Sequence, residues 1–268
     1  MTEKVNKLMR EIPALRWTAL ILLASMMFFA YMFVDVLSPL KTLLETERGW
    51  NSGAFGTEEG SEYFLNVFAF FLIFAGIILD KLGIRFTALL SAVIMILGAS
   101  IKYYAISDAF IGTGLETWLN SWWVDFPASA KLASLGFMIF GGGAEMAGIT
   151  VSKAIVKWFK GKELALAMGI EMAIARLGVF AIFRISPRIA DRFNDVSSST
   201  LFCLILLFIG FICFIVYTIM DKKLDKQMGE SGIEPEDPFR ISDIGKLFTS
   251  KTFLIVAGLC VLYYSAIF

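Results

Sequence analysis

The sequence predicts an all-α, polytopic membrane protein: six spanning helices in one bundle, then the start of a seventh. Three observations predict it. Hydrophobic residues make up 57% of the chain and charged residues only 18%, with mean hydropathy +0.73; a soluble globule carries about 25% charge. The apolar residues fall in runs of the length a helix needs to cross a bilayer, about 20 residues, separated by shorter charged stretches. Lysines and arginines gather at alternate ends of those runs.

The first run, Trp17 to Leu44, is longer than a crossing needs and contains Pro39, which frees a carbonyl one turn back and marks a kink. Asp35 lies in this run, with Tyr31 one turn below on the same face. Glu45 to Gly60 is polar; its first part reads as a loop and its second as the approach to the second helix, Tyr63 to Leu79. The third helix covers Phe86 to Ile106. Ser107 to Lys131 is a long loop whose Trp118, Trp122 and Trp123 suit the headgroup level. The fourth and fifth helices, Leu132 to Lys157 and Glu163 to Ile185, are joined by a tight basic turn. Pro187 ends or kinks the fifth, and Arg188 to Ser199 reads as a polar loop. The sixth helix, Thr200 to Met220, is almost wholly Leu, Ile and Phe. Residues 1–222 thus form the six-helix bundle and 223–250 a charged linker; 251–268 begin a second bundle, with an apolar run from Phe253.

Lys4, Lys7, Arg10 and Arg16, then Lys81 and Arg85, then Lys157, Lys160 and Lys162 outnumber Lys41, Arg48, Lys131, Arg188 and Arg192 on the other face. This bias puts the N-terminus, the basic turns and the linker in the cytoplasm of a multi-pass protein of the cell membrane. The charged N-terminal tail lacks a small-residue cleavage pattern and reads as retained.

Several function classes are excluded. Zero formal net charge gives no support for a nucleic-acid partner. The absence of histidine removes the commonest transition-metal ligand and leaves any proton coupling to carboxylates. Cys203, Cys213 and Cys260 lie in apolar runs and read as buried thiols. No nucleophile–base pair and no metal cluster is visible, so neither an enzyme nor a cofactor is expected.

The stretch from Gly141 to Gly178 is the most informative. Two apolar helices flank the turn Trp158-Phe159-Lys160-Gly161-Lys162, and each carries a charge at its middle, Glu145 and Arg176. A turn so short makes the helices antiparallel, and at ~1.5 Å per residue both charges sit roughly 20 Å above it. An acid and a base then meet near the midplane, which suits a ligand with a positive and a negative end. A structural ion pair is the competing reading. A charge at mid-bilayer costs about 2.5–3.5 kcal/mol on insertion scales, and a buried pair gains little over apolar packing. The ligand reading is therefore preferred, with Glu145 on an ammonium and Arg176 forking a carboxylate. Asp35 is either a cavity residue or a cap at the Pro39 kink. Tyr31 is either a cavity wall or packing. Glu171 does not share a helix face with Arg176. Lys102 and Lys153 lie near helix ends, where long side chains snorkel. Gly141, Gly142, Gly143 and Gly148 read as close-packing positions.

Six helices, a charged linker and the start of a seventh resemble the first half of a major facilitator superfamily transporter. Gly76, Asp80, Lys81, Gly83 and Arg85 match that superfamily's G-x-x-x-D-[RK]-x-G-[RK]-[RK], departing at Ile84, where a basic residue is usual. The resemblance implies that this turn latches two halves together in the outward-facing state; Gly76 would permit close helix contact and Asp80 would pair with basic neighbours. Gly142-Gly143-Ala144-Glu145, the turn continued through Glu163-Leu164, Ala175-Arg176-Leu177-Gly178 and Gly49-Trp50-Asn51-Ser52 look like the lysosomal dipeptide uniporter branch. In that branch the helix-four Glu and helix-five Arg bind the two ends of the dipeptide; these correspond to Glu145 and Arg176. Phe137 stands about where many proton-coupled members carry arginine, and the fifth helix lacks G-x-x-x-G-P. Both departures favour uniport or a different coupling residue.

The expectation is transport of a small zwitterionic solute, short peptides first, by alternating access, with Glu145, Arg176, Asp35 and Tyr31 at the substrate. The partners implied are that substrate, the lipid bilayer, and a missing C-terminal half or a second copy; the run that stops in mid-membrane favours truncation. The alternatives are organic-anion transport with Glu145 as proton carrier, and a membrane scaffold that binds no solute.

Overall fold

The computed structural model describes residues 8–123, 125–230 and 249–267, and all regular structure among them is helical. The N-terminal tail to residue 7, linker residues 231–248 and Phe268 lie outside the described residues.

Helix α1, Pro13–Val34, opens on a proline whose missing N–H is one no helix start uses. It stops at Asp35, and a 3-10 turn, Ser38–Leu40, leads into α2, Lys41–Arg48. The first run is therefore broken rather than merely kinked, and the break begins four residues before Pro39. That offset is mechanical: a proline ring collides with the carbonyl four residues back, here that of Asp35. The opened backbone finds partners, since the Ser186 hydroxyl donates to the Val36 carbonyl at 2.7 Å.

The second limb is also broken. Asn51 caps α3, Ser52–Ser61, accepting from the Ala54 N–H at 2.7 Å. Helix α4, Phe64–Phe68, follows after Glu62 and Tyr63. Helix α5, Phe71–Ile106, starts beyond Phe70, which is held at φ 50°. The polar stretch read partly as loop is thus helical on both sides of Gly49.

Inside α5, Gly83 (φ 79°, ψ 169°) leaves helical geometry, a conformation glycine adopts without steric cost. Phe71 and Met95 lie equally far along the chain on either side of Gly83. They pack at adjacent positions of one helix, beside Gly142 and Gly143. The parts 71–82 and 84–106 therefore run antiparallel. Among the described residues five helices are long and apolar enough to cross a membrane by length and composition; the reversal at Gly83 divides one of them, giving six limbs.

The long loop contains a short helix, α6, Gly114–Asn120, whose end is tied by Lys131: its Nζ donates to the Leu119 and Trp122 carbonyls, each at 2.6 Å. Helix α7, Ala128–Phe159, crosses the second part of α5 through glycines. A Cβ at Gly98 would collide with the Phe140 backbone, and one at Gly136 would stand 2.6 Å from the Lys102 nitrogen. Small residues at a crossing let backbones approach, the usual basis of tight helix pairs in lipid.

Helix α8, Leu164–Phe193, does not end at Pro187. Arg188 and Arg192, expected in a loop, are helical. Neighbours hold the chain beside the proline: Ser186 donates to Val36, just beyond the end of α1, and its own carbonyl accepts from Ser199 at 2.7 Å. Helix α9, Ser197–Glu230, runs ten residues past Met220, so Asp221 and the start of the expected linker are helix. At the opposite end, where α9 begins, Arg48 pairs with Asp108 at 2.7 Å and approaches Asp195 at 3.6 Å. Burial alone would raise the Asp195 carboxyl; the Ser197 N–H and hydroxyl, the Ser198 hydroxyl and the Arg48 charge outweigh it and hold it below the usual carboxylate range.

One continuous core joins α1, α2, α5, α7, α8 and α9, with Phe33, Phe137 and Phe140 at its centre. Residues to Ile233 form one compact unit, and those from Glu234 a second. The described helix of the second, α10, Lys251–Ile267, covers the predicted seventh run from two residues before Phe253.

Gly98→Val is expected to destabilise the bundle by about 3 kcal/mol, the upper part of the range for overpacking, because the obstacle is backbone. Thermal unfolding of the detergent-solubilised protein measures it, with Gly76→Val, where a Cβ meets nothing within 4 Å, as the near-neutral control.

Candidate functional site

Helices α7 and α8 meet at the turn over Lys160 to Glu163, where Gly161 takes φ 74° and Glu163 φ 46°. Glu145 and Arg176 lie about equally far from that turn along their helices. Both are exposed in this chain. They form no ion pair with each other within 4.0 Å, and Glu145 has no hydrogen-bond partner among the described residues.

Tyr31 is where their fields overlap. The Arg176 guanidinium carbon lies 5.1 Å from the centre of the Tyr31 ring, a cation–π distance. The phenol also lies in electrostatic range of Glu145, Glu171 and Glu62. The approach of α8 to α1 here depends on Gly178, where a Cβ would collide with the Phe28 carbonyl oxygen. Gly141 does the same for α7, since a Cβ there would collide with the Glu62 carbonyl. Gly142 and Gly143 are packed closely too, whereas a Cβ at Gly148 would only touch Met27.

Asp35 is the C-cap residue of α1, half-buried and in range of Arg176 and Lys102. The Ser38 hydroxyl lies 3.4 Å from Asp35 Oδ1 and 3.2 Å from Glu59 Oε1. These are long for hydroxyl bonds, and a single hydroxyl proton serves one carboxylate at a time.

Lys102 corrects the sequence reading. It does not snorkel: it is fully buried, and its Nζ lies 2.7 Å from Glu58 Oε1, itself fully buried. The ammonium stands 3.4 Å from the centre of the Phe137 ring and 5.4 Å from that of Phe33. The pair is in Coulomb contact but off axis for a hydrogen bond, and neither group has another hydrogen-bond partner. Glu58, Glu59 and Glu62 were missed because their stretch was read as polar approach. Their signal was Asn51 as helix cap with Glu58 and Glu62 one turn apart behind it.

The signature turn is wired into a charge network at the Gly83 end. Asp80 pairs with Lys153, whose side chain is partly exposed. Arg85 reaches Asp225 at 2.9 Å and Asp221 at 4.0 Å. Asp221 is 1% exposed and accepts from Lys157 at 2.7 Å, Trp158 Nε1 at 3.1 Å and the Tyr217 hydroxyl at 3.2 Å. Arg16 pairs with Glu163 at 2.6 Å beside them. Lys81 is exposed, and among the described residues a Cβ at Gly76 would meet nothing within 4 Å. No three potential metal ligands converge among the described residues.

The family model of the Major Facilitator Superfamily matches residues 23–268. The lysosomal dipeptide transporter MFSD1 of Gallus gallus is 30% identical over 146 residues, 51% of this chain and 33% of its own length. The proteins of that name from Danio rerio and Homo sapiens are 27% and 24% identical, each over 94% of this chain and 52% of their own. The chain spans about half the length of these two relatives.

Removing one member of the Lys102–Glu58 pair strands the other. Lys102→Met is expected to cost about 3–5 kcal/mol, and Lys102→Met with Glu58→Leu to recover most of it, because an apolar pair of similar volume replaces a buried ion pair at little cost. A double-mutant cycle on thermal unfolding measures both.

Proposed function

The chain belongs to the Major Facilitator Superfamily, and on that premise we propose that its protein moves a small zwitterionic solute, dipeptides first, across the membrane by alternating access. The observation that carries the reading is the arrangement of Glu145 and Arg176: opposite charges at similar depth, exposed, unpaired with each other, and both in range of Tyr31. An intramembrane charge without a partner marks a place where water or a ligand supplies one. Glu145 takes the ammonium end and Arg176 the carboxylate, with the Tyr31 ring steadying the guanidinium. Asp35 stands beside Arg176 as a third polar contact. The relatives' name, lysosomal dipeptide transporter, supports the same solute class.

The signature residues Asp80, Gly83 and Arg85, with Asp221 and Asp225, hold the Gly83 end shut or release it as the cavity changes side; Gly76 and Lys81 flank that turn. Its basic residues point the Gly83 end to the cytoplasm, in the cell membrane or in an internal one like that of the relatives. Epitope accessibility at Lys81 in intact cells tests the orientation.

Uptake into proteoliposomes tests the chemistry. Arg176→Lys is expected to raise the half-saturation for a dipeptide by about tenfold or more, since a point charge loses one of two charge-assisted bonds, each worth about 1.5–3 kcal/mol. Glu145→Gln is expected to lose discrimination between a free dipeptide and its N-acetyl form. Wild-type transport of N-acetylated dipeptides and monoanions as fast as of free dipeptides would move the reading to organic anions.

A further inference from the structure

Because α8 continues through Pro187, four arginines fall on one ridge: Arg176, Arg184, Arg188 and Arg192, with Phe180 filling the gap. Residues four apart are neighbours along a helix, about 6 Å apart in height. The packed face of α8 follows a parallel ridge, with Gly178, Ile182, Ser186 and Ala190 all buried. Each arginine is two residues from a member of that ridge, roughly 200° around the helix. The arginine ridge therefore stays opposite the core along its whole length. All four arginines are exposed. Arg184, Arg188 and Arg192 make no hydrogen bond or ion pair among the described residues, and Asp191 on the same end pairs with none of them. Guanidinium is charged at every physiological pH, and at mid-bilayer depth Arg176 is incompatible with lipid on its face; Arg184, Arg188 and Arg192 continue that same ridge outward, about 12, 18 and 24 Å above it, so the ridge that must be wet at Arg176 stays charged to the end of the helix.

We infer that the outward face of α8 lines an aqueous path, and that Arg184, Arg188 and Arg192 collect a carboxylate at the Asp195 end and pass it inward to Arg176. Charges of one sign along a narrow passage raise the local concentration of the opposite sign and speed arrival, an effect that salt weakens. Arg184 is the decisive rung, about 12 Å above Arg176 and the only one of the three inside the ~15 Å half-thickness of the hydrocarbon core. The direction of this traffic rests on the zwitterion reading above; the aqueous lining does not.

Cysteine labelling in membranes of cells expressing the protein tests it. Cys213 and Cys260 are first replaced by serine; Cys203 is buried. Arg184→Cys and Arg188→Cys are then treated with impermeant methanethiosulfonates of equal size and opposite charge. Both sites are expected to react, the anionic reagent about tenfold faster, with the preference falling as salt rises. Phe183→Cys, about 100° around the helix from Arg184, is expected to react at least tenfold more slowly. No reaction at Arg184→Cys, or a preference for the cationic reagent, overturns the inference. In uptake assays Arg184→Gln is expected to raise the half-saturation for a dipeptide about threefold at low salt and less at high salt. An unchanged value at low salt overturns the relay. Absence of dipeptide uptake by the wild-type protein would instead remove the zwitterion reading and leave the labelling result to decide the path.

Discussion

Between apolar helices a charge has two tolerable states, partnered or wet, and this bundle sorts its ionisable groups into those two classes. Asp221 shows the first. Buried at the Gly83 end, it draws in a lysine, an indole and a phenol from two helices, and it carries Arg85 at its edge. The Lys102–Glu58 pair shows it more severely, with only aromatic rings around the ammonium. Glu145 and Arg176 fit the second. Both are exposed; Glu145 has no hydrogen-bond partner among the described residues and Arg176 rests against the Tyr31 ring, although a neighbour of opposite sign lies on the adjoining helix.

Glycine makes that sorting geometrically feasible. At Gly98 and Gly136 two helices touch backbone to backbone, so their larger side chains are displaced to the flanks. Lys102 begins at this contact, its nitrogen against Gly136, and its side chain turns back over Phe137. Gly141 and Gly178 bring the second and first limbs against the helices that carry Glu145 and Arg176. The site charges are thus held by nearby contacts: Gly141 lies one turn before Glu145 on the same side of its helix, and Gly178 lies two residues beyond Arg176 on the opposite face.

Much of this was legible in the chain. Apolar run length gave the limbs, and the Gly83 signature marked the reversal between the second and third. The matched spacing of Glu145 and Arg176 about their turn set their level. What stayed hidden was partnership between distant residues. Lys102 and Lys153 look alike in sequence, each a cation inside an apolar run, and both looked free to reach water; which acid each meets depends on helix crossings that periodicity does not encode. The two prolines differ in outcome. At Pro39 the helix stops at Asp35 and the freed Val36 carbonyl is taken up by Ser186 of another helix, while α8 continues through Pro187 with Ser199 bonded to the Ser186 carbonyl.

Helix α4 has a separate consequence. It is five residues long, with interruptions on both sides and a strained Phe70 at one of them. A segment so brief holds almost no ladder of its own, and the Asn66 carboxamide within it has neither donor nor acceptor satisfied. The link between α3 and α5 therefore owes its position to what it packs against rather than to its own backbone, with Leu65 and Phe71 seated against Gly142.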